Sequence, residues 1–170
     1  MKKNTLMILL LLCISLLTGC GEDAELTRFH NEMNVFYETL SASINNLENI
    51  DTESDTAVDD MLTELDTLSV LFTNLAAIKV PEEFSNIEEL ADEASDYMTD
   101  AGNLYREAYA DNGYDDALAE AAGEHYNRAM KRVNYIAILL QGRIPEGDDV
   151  TIITESETVD WTGGEEPANE

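Results

Sequence analysis

Few side chains in this sequence are equipped for acid–base work or metal ligation. The imidazoles are His30 and His125. His30 sits one position past Phe29, at the rim of an apolar stripe, which predicts a solvent-exposed ring. His125 lies among Ala121, Ala122, Gly123 and Ala129. Two readings follow for it. One is an imidazole partly buried and bonded to a neighbouring tyrosine or carboxylate; the other is a ligand or acid–base residue lining a pocket left by the small neighbours. Such a candidate ligand pocket would draw on His125, Tyr126, Tyr97 and Tyr105, with Tyr109 as a further contributor. Tyrosines at helical spacing also serve as core residues with their hydroxyls at the rim.

The many carboxylates invite metal comparisons, and the spacing answers them. A di-iron site in a helical bundle wants Glu-x-x-His on two helices. The residues three before His30 and His125 are Thr27 and Ala122, so that motif is absent. A calcium loop starting at Asp111 would have Gly113 at its third position and Ala122 at its twelfth, where a bidentate Glu is needed. The sequence holds no Gly-rich phosphate loop, Gly-x-Ser-x-Gly elbow or His-Glu-x-x-His run. The expectation is a protein that is not an enzyme, with no catalytic residues, no metal and no cofactor.

The thiols lead elsewhere. Lys2 and Lys3 precede an uncharged apolar run over residues 6–17 and then a small-residue site. That is the layout of an export signal, too short to span a membrane. Leu17-Thr18-Gly19-Cys20 resembles the lipobox of bacterial lipoproteins at all four positions. The resemblance covers only the first twenty residues. It implies cleavage by signal peptidase II between Gly19 and Cys20, and a diacylglycerol with acyl groups such as palmitate on the Cys20 sulfur. It also implies a protein held by that lipid at the extracytoplasmic face of the cell membrane, or at an outer membrane where the source has one. Cys13 would leave with the signal. Thiol redox chemistry, Cys-ligated zinc and cysteine nucleophiles then drop out.

Charge narrows the partners. The 170 residues carry 36 Asp and Glu against nine Lys and Arg, a formal net charge of −27. Nucleic-acid binding depends on Lys and Arg displacing phosphate counterions, so that class is excluded. An anionic bilayer would repel the body as well, leaving the lipid as its membrane contact. Such a charge favours a soluble monomer. The expected partner is an unidentified envelope protein or a small ligand.

Four apolar stripes organise the rest. Steps of three and four run through Leu26, Phe29, Met33, Phe36 and Leu40, with Ser43 beside Ile44 at the one interruption, and on to Leu47 and Ile50. The second stripe is Val58, Met61, Leu62, Leu65, Leu68, Phe72, Leu75 and Ile78; Thr52 with Asp55 resembles a capping box before it, and Lys79 and Pro81 mark its end. Ser85 with Glu88 forms a second capping-box pattern ahead of a stripe rich in Ala and Tyr, from Ile87 to Ala108, which predicts close helix approach. Gly113 suits a left-handed cap, Asp115 or Asp116 opens the fourth helix, and Gly142 with Pro145 stops it. Gly102 and Gly123, single glycines inside helices, point to close contact.

The predicted architecture is all-α: an up-down-up-down antiparallel four-helix bundle with a mostly disordered acidic tail. The divisions are 1–19 signal peptide, 20–23 lipidated start and short linker, 24–142 bundle (helices at about 24–50, 54–79, 85–110 and 115–141) and 143–170 tail. Helices of about 25 residues are roughly 38 Å long. Val150-Thr151-Ile152-Ile153-Thr154 is the tail's only β-prone run, open to docking on the body as an extended arm, and Trp161 is its only large anchor. The mature part resembles small helical extracytoplasmic lipoproteins of unassigned role. The function expected from all this is a lipid-anchored interaction or scaffold module, with a small-ligand or metal-binding lipoprotein as the alternative.

Overall fold

The computed structural model describes residues 19–110 and 113–146, with side chains from Ala24 onward. The expected signal peptide and residues 147–170 lie outside them, including the tail's expected disorder and its β-prone run. Four α-helices and one 3-10 turn make up the described chain, and no strand occurs among the described residues. They are α1 (Gly19–Glu48), α2 (Ala57–Ala76), the 3-10 turn Glu82–Phe84, α3 (Asn86–Ala108) and α4 (Asp116–Leu140).

The stripes become the core. Phe29, Met33, Phe36 and Leu40 from α1 meet Leu65, Leu68, Phe72 and Leu75 from α2 in one cluster with residues of α3 and α4. Ser43 is buried where the α1 stripe is interrupted, and Ile44 is only partly buried beside it. Val58, expected in the α2 stripe, is exposed in the first turn of that helix. Tyr135 of α4 is buried as well. Small residues dominate the facing sides of α3 and α4, where Ala94, Ala101, Ala108, Ala122 and Ala129 are all fully buried. That pair packs most extensively, α2 with α3 less so, and α1 with α2 least among the consecutive pairs.

Helix ends depart from the expectations where turn chemistry decides them. α1 already begins at Gly19, so residues 20–23, expected as a linker, continue its backbone. α2 begins at Ala57 because Asp51 holds the preceding turn. Its side chain accepts from the Glu53 amide at 3.1 Å and its carbonyl from the Ser54 amide. The Thr52 capping box therefore does not form; Thr56 takes the N-cap position without a side-chain cap bond, its hydroxyl donating to Asp60 instead. Ser85 also makes no cap bond. It has helical angles (φ −50°, ψ −30°), because the 3-10 turn runs straight into α3. Asp115 does cap α4, accepting from the Ala117 and Leu118 amides at 3.0 and 3.2 Å. Gly142 ends α4 at φ +69°. Its amide donates to the Leu139 carbonyl and that of Arg143 to the Ile138 carbonyl, the paired bonds of a Schellman cap.

Contacts between helices follow a regular order. Asn46 bonds Glu64, Phe36 meets Phe72, and Lys79 pairs with Glu25 between α1 and the end of α2. Arg106 pairs with Asp66 and Ser69 reaches the Met98 carbonyl between α2 and α3. Arg132 bonds Glu93 at 2.5 Å and His125 faces Asp100 between α3 and α4. The Tyr37 hydroxyl donates to the Val133 carbonyl at 3.1 Å, linking α1 to α4. Among the described residues, no helix is long and apolar enough to cross a membrane.

Candidate functional site

Three places bear on function: the first turn of α1, the seam between α3 and α4, and an open groove between α1 and α2.

Cys20 lies in the first turn of α1. Eight residues on, Arg28 begins the described surface of the groove, and Phe29 is fully buried. The backbone from Cys20 to the core is thus a continuous helix, and Lys79 bonds Glu25 at 2.5 Å beside it. That bond, and the charge behind it, hold the Glu25 carboxyl below its ordinary range.

At the α3–α4 seam, the ring of Tyr97 meets that of His125 edge-on with centroids 5.7 Å apart. His125 Nδ1 stands 3.4 Å from Asp100 Oδ2. The geometry does not make a hydrogen bond, and this buried nitrogen has none. The Arg128 and Arg132 guanidiniums both lie over the Tyr97 ring, at 5.8 and 5.7 Å from its centre. Cations at that distance are attracted to the aromatic face. Arg132 also carries the bond to Glu93.

The other two residues of the expected pocket point elsewhere. Tyr105 is directed at Gly123, where an added Cβ would stand 3.5 Å from its hydroxyl oxygen. Tyr126 is half-buried; burial raises its phenol pKa, with Tyr105 and Glu48 adding to the rise. Adjacent helical residues are turned by about 100°, so Tyr126 and His125 leave α4 in different directions. The sequence-expected set thus divides into Tyr97 with His125 and Tyr105 with Tyr126. Around the Tyr97 ring stand His125 and the two guanidiniums. Among the described residues, no group of three or more His, Cys, Asp or Glu side chains is arranged to hold a metal. His30 is exposed as expected, its ring edge-on to Phe84 at 5.8 Å.

The groove was not anticipated. It is an open cavity of about 760 Å³ between α1 and α2, lined on its apolar side by Val35, Phe36, Leu71, Leu75 and Ile78. Arg28 and Lys79 lie at its edge with Glu32. Val35 is 62% exposed, and so is Val70 beside Leu71. Of these two valines, both off the core stripes, only Val35 lines the groove.

No family model, curated protein or solved structure matches the chain. Its function therefore has to be argued from these places alone.

Proposed function

We propose that this protein is a lipid-anchored module of the cell envelope that acts by contact with a partner rather than by catalysis. The observation that carries the reading is the Leu17-Thr18-Gly19-Cys20 sequence at the head of α1. An anchor on Cys20 would be joined to the core through an unbroken helix, so the body would be held in a defined orientation rather than on a loose tether. The acidic surface supports a lipid, not the body, as the membrane contact.

The proposed arrangement is an up-down-up-down antiparallel bundle. Its support is the order of contacts. Residues 46, 36 and 25 of α1 meet 64, 72 and 79 in turn, and residues 93 and 100 of α3 meet 132 and 125. In that arrangement the turn at 79–85 and the end of α4 lie near the anchor. The turns at 51–56 and 109–115 face away and meet an incoming partner first.

Growth with a clickable fatty-acid analogue tests the anchor. The wild-type chain should label and sediment with membranes, and Cys20→Ala should lose both properties. Label retained in Cys20→Ala would remove the basis of the reading.

A further inference from the structure

We infer that the rings of Tyr109 and Tyr114, on the turn between α3 and α4, dock a basic segment of a partner protein, with an arginine side chain stacked on them beside Asp116. This deepens the reading above by naming the partner's chemistry, and rests on it only for the direction in which the turn faces.

The rings give the place. Tyr109 is the C-cap residue of α3, and Tyr114 stands two residues ahead of α4. Their ring centroids are 5.0 Å apart, with the planes at 50°. Tyr109 is 36% exposed and Tyr114 58%, so the pair is a surface feature rather than part of the core. Backbone bonds hold the turn from both sides. The Asp115 amide donates to the Ala108 carbonyl at 2.9 Å, and the Gly113 amide to the Ala110 carbonyl at 3.1 Å. The Tyr114 hydroxyl donates to Asp116 Oδ1 at 3.4 Å, which sets a carboxylate beside the rings.

Elsewhere the chain supplies cations to its own tyrosines. Arg128 and Arg132 lie over Tyr97, and Lys131 and Arg132 over Tyr135. Among the described residues, no Lys or Arg stands over Tyr109 or Tyr114. The nearest basic residue in the sequence, Arg106, is paired with Asp66 of α2 and bonds Asn103.

The charge around the rings is of one sign. From Glu107 to Asn127 the sequence holds six acids and no Lys or Arg. Of these acids, Glu107, Asp115, Asp116, Glu120 and Glu124 are exposed. Solvated carboxylates alone draw cations diffusely and select none. Two aromatic faces among them add direction, because a cation is attracted to the face of a ring. A guanidinium meets both demands: it is planar, stacks on an aromatic ring and forks to a carboxylate, whereas an ammonium is a compact, strongly hydrated point charge. A second copy of this chain is a poor occupant, since both copies carry the same excess of acid.

Binding of fluorescently labelled hexa-arginine to the full chain in a non-ionic detergent tests this by anisotropy. Hexa-arginine should bind more tightly than hexa-lysine. Tyr109→Leu with Tyr114→Leu should weaken hexa-arginine binding about fivefold, the effect of two exposed cation–π contacts. Tyr109→Phe with Tyr114→Phe keeps the aromatic faces and should stay within about twofold of the wild type. Asp116→Asn with Glu120→Gln should weaken binding severalfold more than Glu88→Gln with Glu89→Gln, which removes the same charge roughly 30 Å away along α3. Leucine variants that bind like the wild type would overturn the inference, as would phenylalanine variants as weak as the leucine ones. Equal losses from the two charge pairs would leave net charge as the sole cause and overturn it too. Should the leucine pair disturb the fold, backbone amide shifts of the wild-type chain on adding hexa-arginine decide: the largest should fall within residues 107–120, and a uniform pattern would contradict the site. The lipid plays no part in these readings. Peptide binding by a chain without fatty-acid label would remove the anchor and keep the site, and a labelled chain that fails them would keep the anchor and lose the site.

Discussion

Tyr37 is the residue on which the contact between α1 and α4 is most clearly built. Its hydroxyl donates to the Val133 carbonyl, and burial pushes its pKa up from 10.0 to about 12. Between those values an unfolded chain has released a proton that the folded chain keeps. This group's contribution is therefore complete below pH 10 and is lost as the pH rises through 12, by on the order of 2 kcal/mol. Tyr37→Phe should cost about 1 kcal/mol at neutral pH through the lost hydrogen bond. It should also make the alkaline fall in stability shallower, as read by denaturant melts on either side of pH 10. Burial raises Tyr105 and Tyr126 too, so part of the slope will remain. A reader of the sequence would place Phe36 in the core and overlook Tyr37, because it lies one step off the stripe. Only the arrival of α4 gives its hydroxyl a partner. The Tyr97–His125 contact was easier to foresee, since small residues around His125 predict a close neighbour, but the two arginines over Tyr97 come from about one and two turns further along α4.

Among the elements, α2 with α3 and α3 with α4 offer a matched pair of tests. Both Gly102 and Gly123 sit inside helices, where Ala is favoured by about 1 kcal/mol. At Gly123 an added Cβ would be 3.5 Å from the Tyr105 hydroxyl, an ordinary contact. At Gly102 it would be 3.1 Å from Ser69 Oγ, which is bonded to the Leu65 carbonyl at 2.9 Å and so resists moving. Gly123→Ala should raise the thermal midpoint by the equivalent of up to about 1 kcal/mol. Gly102→Ala should gain less or lose stability, and Ser69→Ala added to it should recover the gain. Sequence alone pointed to close contact at both glycines; the tight approach is at Gly102. The helices themselves were legible because a stripe of threes and fours admits no other element. Their ends were less so. Thr52 and Ser85 carry capping residue types, yet the Asp51 turn and the 3-10 turn at Glu82–Phe84 set the backbone first. Asp115 and Gly142 were read correctly because nothing local competes with them. The groove escaped notice since it depends on how loosely α1 meets α2, which no single helix encodes.

At the scale of the whole molecule, the proposal joins an anchor to a body. On that proposal the acidic residues would keep the body from an anionic bilayer, and a lipid at the head of α1 would hold it there nonetheless. A helical connection through α1 would then present the turns at 51–56 and 109–115 outward. The proposal turns on one covalent bond. The direct measurement is the intact mass of the protein recovered from membranes, with fragmentation of its first peptide. The account predicts a chain that begins at Cys20 and carries a diacylglycerol on that sulfur. A chain that retains residues 1–19, or begins at Cys20 with an unmodified thiol, would contradict it.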